Sequence, residues 1–168
     1  MTLFSSIVVS GCTDFQFKTY NGTYFSFRYP DEWEAKTITE NQSVVTAVPK
    51  NELGNNNQSV ATFKFLGNFS LTPEKITEIF NPYRETEKRK LDPNFKMIEN
   101  RSITVDGVNS YDFVLQDSSS DGEKIEEHEL ILFEKNGKVY EIHLNSTPED
   151  FFRVQGEFLD MVASFITV

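Results

Sequence analysis

The sequence predicts an antiparallel α+β layer fold, and three observations lead to this prediction. Residues 125–144 form two apolar-rich runs separated by Asn136-Gly137, a dipeptide typical of two-residue type I′ hairpin turns because both positions require positive φ. Residues 147–168 begin with cap chemistry and continue with apolar residues at helical spacing. Along the whole chain the order is strands, helix, strands, helix, which favours an antiparallel sheet with packed helices.

The central hairpin has a defined register, because Lys135 lies opposite Lys138 across the predicted turn. Side chains on a strand alternate between the two faces of the sheet. One face therefore collects Ile131, Phe133, Tyr140, Ile142 and Leu144. The other face collects His128, Leu130, Leu132, Val139, Glu141 and His143. We expect a helix to cover the first, strongly apolar face.

The C-terminal segment is predicted to be that helix. Thr147 is a favoured N-cap residue, Pro148 suits the first helical position, and Glu149 and Asp150 complement the positive end of the helix dipole. The apolar residues that follow at helical spacing are Phe151, Phe152, Phe158, Leu159, Val162, Phe165 and Ile166.

The N-terminal half is predicted to contribute strands and a second helix. Residues 15–20 and 23–29 indicate a hairpin turning at Asn21-Gly22, and further strands are expected at 34–39, 43–48 and 59–66. Thr72-Pro73 repeats the cap chemistry of the last helix. Pro82 should break or kink this helix, with a second short helix running to residue 91.

Residues 95–105 and 108–116 form a third hairpin around Asp106-Gly107. Before the central hairpin, residues 117–123 are predicted to form an acidic loop that lacks the spacing of an EF-hand. A solvated, flexible loop is therefore favoured over the alternative, loose binding of calcium.

Composition restricts the possible functions. The chain has 168 residues and a net charge of −10, which opposes nucleic-acid binding because such binding needs a basic surface. No apolar run approaches the roughly 20 residues needed to span a bilayer. The single cysteine excludes an intramolecular disulfide. We expect a monomeric domain.

That cysteine lies in a candidate lipidation motif. Val9-Ser10-Gly11-Cys12 matches a lipobox, so residues 1–12 are interpreted as part of a lipoprotein signal peptide and residues 13–168 as the domain. The signal is truncated or incomplete, since the usual basic start is missing. The alternative is an extra edge strand with a buried free cysteine. The lipobox predicts an extracytoplasmic protein anchored to the cell membrane by lipid on Cys12.

Glycosylation acceptors support an exported location. Six Asn-x-Ser/Thr sequences occur, more than this composition gives by chance, and they begin at Asn21, Asn41, Asn57, Asn68, Asn100 and Asn145. Coincidence in a sequence rich in Asn and Thr is the alternative explanation.

Four segments together resemble the PsbP family: residues 24–33 (YFSFRYPDEW), 103–108 (ITVDGV), 134–140 (EKNGKVY) and the C-terminal segment 151–165. The resemblance covers nearly all of residues 15–168. It implies an antiparallel β-sheet flanked by helices on both faces, an α/β/α sandwich. The same fold serves a Ran-binding nuclear-import factor and exported bacterial lipoproteins, whereas plant members help photosystem II to retain calcium and chloride.

The sequence carries no recognisable catalytic motif, so we expect a non-catalytic binding or assembly module with an envelope protein as partner and no cofactor. The alternative is a metal-binding protein or an enzyme that uses His128 and His143. In the predicted register these histidines are diagonal neighbours, and Glu126 and Glu141 share their face. Two imidazoles and a carboxylate can bind a divalent metal such as zinc or copper.

Overall fold

The structure is a computed structural model that describes residues 16–55, 58–84, 92–118 and 124–168. The chain order is β1 (Phe17–Asn21), β2 (Phe25–Pro30), β3 (Trp33–Thr37), β4 (Val44–Pro49), a 3₁₀ turn (Lys50–Glu52), β5 (Val60–Gly67), α1 (Pro73–Arg84), β6 (Lys96–Val105), β7 (Val108–Ser118), β8 (Ile125–Lys135), β9 (Lys138–Ser146), α2 (Pro148–Ala163) and β10 (Ile166–Thr167).

The strands form two antiparallel sheets. The larger sheet has seven strands in the order β3-β4-β5-β9-β8-β7-β6, and the smaller has three in the order β1-β2-β10. The predicted class, mostly antiparallel β-structure with helices, is confirmed. Strand β10 was not predicted. It follows α2 and pairs with β2, so it ties the end of the chain to the N-terminal hairpin.

Two of the three predicted turns have the predicted geometry. Lys135 pairs with Lys138, and both turn residues have positive φ, 55° at Asn136 and 74° at Gly137. The Asp106-Gly107 turn is similar, with φ of 46° and 78°. These values match the left-handed conformation that a type I′ turn requires.

The N-terminal hairpin differs from the prediction. Asn21, the last residue of β1, pairs with Ser26, and β2 begins at Phe25, so the connection is residues 22–24 and not a two-residue Asn21-Gly22 turn. In this register Tyr20 lies beside Phe27, with ring centroids 5.4 Å apart. The Thr23 backbone N–H and hydroxyl also donate to Gln42 Oε1. Side-chain packing and a contact from another segment therefore outweigh the local turn preference.

Helix α1 is not broken at Pro82, one of the two predicted outcomes, but continues to Arg84. Proline lacks the N–H that would bond the carbonyl of Glu78. Both residues are exposed, so water can satisfy that carbonyl. Most of the predicted second short helix falls on residues 85–91, outside the described residues.

The buried apolar residues form two clusters. The major cluster contains α2 residues such as Phe158, aromatic residues of β2, and the residues of β8 and β9 that were predicted to share one face. Among its members are Phe25, Phe27, Trp33, Phe63, Ile131, Phe133, Tyr140, Ile142, Leu144, Phe151 and Phe165. The rings of Phe165 and Tyr140 lie 5.9 Å apart. The terminal segment therefore packs on the apolar face, as the sequence predicted.

The minor cluster is formed by Phe80 of α1 with the alternate residues of β7 and β8, namely Phe113, Leu115, Leu130 and Leu132. Ile76, Ile79 and Tyr83 of α1 pack against it and are half-buried. Within the described residues, neither helix is long and apolar enough to cross a membrane.

Candidate functional site

The two histidines meet above strands β8 and β9. His128 pairs with Asn145 and Leu130 pairs with His143, which makes the histidines diagonal neighbours. The distance from His128 Nδ1 to His143 Nε2 is 2.8 Å, and the rings stack with centroids 5.0 Å apart. The two imidazoles therefore share one hydrogen bond, in which one ring donates and the other accepts.

Asp117 is a site residue that the sequence analysis assigned to a loop. Strand β7 continues to Ser118, so Asp117 pairs with Glu126 across the strands. Its Oδ1 lies 2.8 Å from His128 Nε2, and both side chains are buried. The signal in the sequence was the length of β8, since a strand that starts at Ile125 needs a partner as far along as Ser118.

The two predicted glutamates have different surroundings. Glu126 Oε2 lies 3.9 Å from His128 Nε2 and accepts a hydrogen bond from the side-chain amide of Asn145. Buried Glu141 instead forms an ion pair with Lys64 on β5, at 2.6 Å.

One set of possible metal ligands is therefore assembled within the described residues. Ligand atoms of Asp117, Glu126 and His128 all lie within 4.8 Å of one another. The structure brings together two of the predicted ligands, adds Asp117, places His143 behind His128, and directs Glu141 elsewhere.

Tyr83 of α1 covers the imidazoles. Its ring meets His128 and His143 edge-on, at centroid distances of 5.4 and 5.6 Å. Burial raises the pKa of Tyr83 strongly, and the nearby charges of Glu141 and Asp117 add to this, so the phenol stays neutral. Burial also holds the pKa of His143 well below its usual value, with smaller effects of His128 and Lys64. His143 is therefore a neutral imidazole at pH 7.

A second polar cluster lies on the opposite side of β7 and β8, and sequence reasoning missed it. Asp112 and Glu129 are fully buried among residues of the major cluster. Both pair with the single cation Arg101, and Glu129 also accepts from Gln155 of α2 at 2.8 Å. Asp112 Oδ1 has no hydrogen-bond partner within the part of the chain that the structure describes. The signal was Glu129 itself, since period two places it on the same face as Ile131 and Phe133.

Burial sets the protonation of this acidic pair. It raises the pKa of Glu129 to about 7, and repulsion from Asp112 adds to the effect despite the hydrogen bond from Gln155. Burial also raises the pKa of Asp112, against the opposing effect of Arg101. Because one cation faces two buried carboxyls, the pair holds a proton close to neutral pH.

The remaining predicted sites are scattered. Cys12 and Asn57 lie outside the described residues, as does most of the acidic loop. Four acceptor asparagines are exposed: Asn21, Asn41, Asn68 and Asn100. Asn145 is half-buried within β9, where its amide already bonds Glu126.

Several large apolar side chains remain exposed. On β6, an edge strand of the large sheet, Met97 and Ile98 are 41% and 46% exposed. Tyr111 on β7 is exposed, and Phe152, the fifth residue of α2, is 78% exposed. Among the described strands, none pairs with the outer side of β6, so this edge combines apolar side chains with available backbone groups, a combination suited to protein contact.

Comparison with known proteins supports the fold. No curated protein matches the sequence. The structure is similar to the cyanobacterial PsbP, CyanoP, from Synechocystis sp. PCC 6803, with 15% identity, a TM-score of 0.60 and 98% of each chain covered. It is also similar to LpqN, involved in cell envelope biogenesis of Mycobacterium tuberculosis, with 12% identity, a TM-score of 0.56 and 92% of each chain covered.

A third similar structure is the Ran-binding protein Mog1p of Saccharomyces cerevisiae, with 9% identity, a TM-score of 0.58, and 90% of this chain and 95% of Mog1p covered. These identities are low and show a shared fold. The sequence itself matches the profile of PsbP-like proteins over residues 6–165. The chain therefore belongs to the PsbP-like protein family.

Proposed function

We propose that this chain is a non-catalytic module that binds and helps assemble an envelope protein outside the cytoplasm, held at the membrane by lipid on Cys12. The observation that carries the proposal is membership of the PsbP-like family across residues 6–165. Two proteins of the same fold are described as Ran-binding and as involved in cell envelope biogenesis. Binding of other macromolecules is the property that these descriptions favour.

The architecture supports a binding role. We interpret the fold as an α/β/α sandwich, with α2 on the major cluster and α1 on the minor cluster; the separate membership of the two helices in these clusters supports this. In such a sandwich the helices cover the faces of the sheet, so the backbone that a partner can reach is that of the edge strands. Strand β6 is ten residues long at one edge, and an edge strand can accept an extended peptide by strand addition.

Charge restricts the partner. A net charge of −10 disfavours nucleic acid and anionic surfaces and favours a neutral or basic protein surface. Membrane contact is then made through the lipid. One acyl chain gives only marginal attachment, so stable anchoring requires an additional lipid or a retained segment. Glycans, where the host attaches them, would occupy exposed Asn21, Asn41, Asn68 and Asn100.

The location is tested by comparing the natural gene with the Cys12→Ser variant in the source organism. We expect the unaltered protein in the membrane fraction, with an intact mass that includes acyl groups, and the variant in the soluble extracytoplasmic fraction. Circular dichroism of both proteins controls for folding. An unacylated protein recovered from the cytoplasm would refute the anchoring proposal.

Binding at the β6 edge is tested by a photo-reactive amino acid at Ile98, with the same probe at exposed Ile38 as the matched control. We expect the probe at position 98 to crosslink one envelope protein that the control position does not capture. An unlabelled β6 peptide should compete with this crosslink. Equal crosslinking from both positions, or no product from either, would contradict a docking role for this edge.

A further inference from the structure

We propose that Asp117, Glu126 and His128 form a binding site for one divalent transition-metal ion, with His143 positioning His128 from behind. The ligand atoms would be Asp117 Oδ1, Glu126 Oε2 and His128 Nε2. All three lie at the end of the β7–β8 ladder, where Asp117 and Glu126 are paired across the strands. The site is independent of the proposed protein-binding role.

The distances fit a metal of zinc size. Tetrahedral zinc with bonds of about 2.0–2.1 Å holds its ligand atoms roughly 3.4 Å apart. His128 Nε2 lies 2.8 Å from Asp117 Oδ1 and 3.9 Å from Glu126 Oε2, so the two separations bracket that value. Each of these two separations differs from the tetrahedral value by about half an ångström, and the ligand atoms of all three residues lie within 4.8 Å of one another.

The charges also fit a divalent ion. Asp117 and Glu126 together bring a formal charge of −2, which a divalent cation neutralises. Asp117 and His128 are buried, whereas the Glu126 side chain is 29% exposed. The ion would thus enter from the side of Glu126, where solvent would supply a fourth ligand. An imidazole nitrogen with carboxylate oxygens suits zinc better than calcium or magnesium, which prefer oxygen ligands alone.

His143 supplies the support that metal-bound imidazoles usually have. A histidine that binds a metal through one nitrogen generally donates its other N–H to an acceptor, which fixes its tautomer and orientation. His128 Nδ1 already lies 2.8 Å from His143 Nε2, so Nδ1–H would donate to that nitrogen. Tyr83 holds both rings edge-on from α1.

The test is calorimetric titration of chelator-treated, full-chain protein with zinc alone. We expect one ion per chain. Asp117→Asn and Glu126→Gln should each weaken zinc binding by more than about 100-fold, as expected for lost ligands, whereas His143→Phe should weaken it by about 10–100-fold, as for a supporting residue. Glu141→Gln is the matched control, because Glu141 lies on the same face of the sheet as His128 but pairs with Lys64. The affinity of this variant for zinc should stay within about twofold of that of the unaltered protein.

Nitrogen NMR of the unaltered protein gives a second readout that does not depend on the variants folding. On adding zinc, the Nε2 resonance of His128 should move to the metal-bound range, while His143 should keep both nitrogens free of metal. Direct metal bonding of His143, equal effects of the Asp117 and Glu141 variants, or the absence of stoichiometric zinc binding would overturn the proposal. In that last case, Asp117, His128 and His143 would form a hydrogen-bonded chain that binds no metal.

Discussion

Strands β7 and β8 bury ionisable groups on both faces, but the two faces neutralise them differently. On the side of the major cluster, Asp112 and Glu129 share Arg101, and Glu129 also accepts a hydrogen bond from Gln155. On the side of the minor cluster, Asp117 contacts His128, which contacts His143. The first arrangement uses a permanent cation, and the second uses groups whose charge depends on protons or on a metal.

The difference has a consequence for stability, because the two faces respond to pH in opposite directions. The pKa of Glu129 rises from 4.5 to about 7 on folding. Its stabilising effect is therefore complete below pH 4.5 and is lost as the pH rises through about 7. The pKa of His143 falls well below 6.5. Its contribution is present above pH 6.5 and is lost as the pH falls.

The largest expected effects come from removing one ring from each cluster. Phe158 is fully buried in the major cluster, whereas Phe80 is 7% exposed among half-buried neighbours on α1. We expect Phe158→Ala to lower the free energy of unfolding by about 4 kcal/mol and Phe80→Ala by about 2 kcal/mol, since a site near the surface relaxes more easily. Urea unfolding of both variants measures the difference. Equal losses would show that the minor cluster is as tightly packed as the major one.

A smaller effect is expected from Glu129→Gln, which keeps the shape of the side chain but removes its titration. Between pH 4.5 and 7.5 the unaltered protein should lose on the order of 2 kcal/mol of stability that the variant keeps, because the ionised carboxylate is disfavoured in its buried position. Urea unfolding across this pH range provides the measurement.

The control for that experiment is Glu99→Gln, since Glu99 contacts the same arginine from an exposed position. Its pH dependence should match that of the unaltered protein. If Glu129→Gln leaves the slope unchanged, the proton on the acidic pair resides on Asp112 or is absent.

The arrangement of side chains on the two faces of β8 and β9 could be predicted from the sequence. Period two and the Asn136-Gly137 turn determine which residues of β8 and β9 share a face, and the structure has that register. The proximity of His128 and His143 follows from the register alone. Local chemistry is sufficient in these cases because the two strands are adjacent in the chain.

The missed features depend on contacts between distant segments. Asp117 joins the site because β7 extends alongside β8, and Arg101 reaches Glu129 from β6 across β7. The longer loop after Asn21 depends on Gln42. Strand β10 forms because β2 offers an edge to the end of the chain. The length of β8 and the period-two position of Glu129 indicate that partners are needed, but neither a period nor a turn motif identifies the distant residues that supply them.

The smallest expected effects concern the two helix caps, which have the same Thr-Pro-Glu sequence. Thr147 accepts from the N–H of Asp150 at 3.3 Å, and Thr72 accepts from that of Lys75 at 3.4 Å. We expect Thr147→Ala to cost about 1 kcal/mol of unfolding free energy and Thr72→Ala about 0.5 kcal/mol or less. The losses differ because α2 packs on the major cluster, so that weakening its cap lowers the stability of the whole domain. Helix α1 has one buried residue, Phe80, and contributes less to that stability.

Thr147→Ser and Thr72→Ser provide matched controls, because serine keeps the accepting hydroxyl and should leave stability nearly unchanged. Amide hydrogen exchange adds a local measurement: Thr72→Ala should speed exchange in α1 and leave β8 protected, since a helix end can open without global unfolding. A Thr72→Ala loss as large as that of Thr147→Ala, with faster exchange in β8, would mean that α1 unfolds together with the sheet. The two sides would then be one cooperative unit, and the difference between them would be limited to their charges.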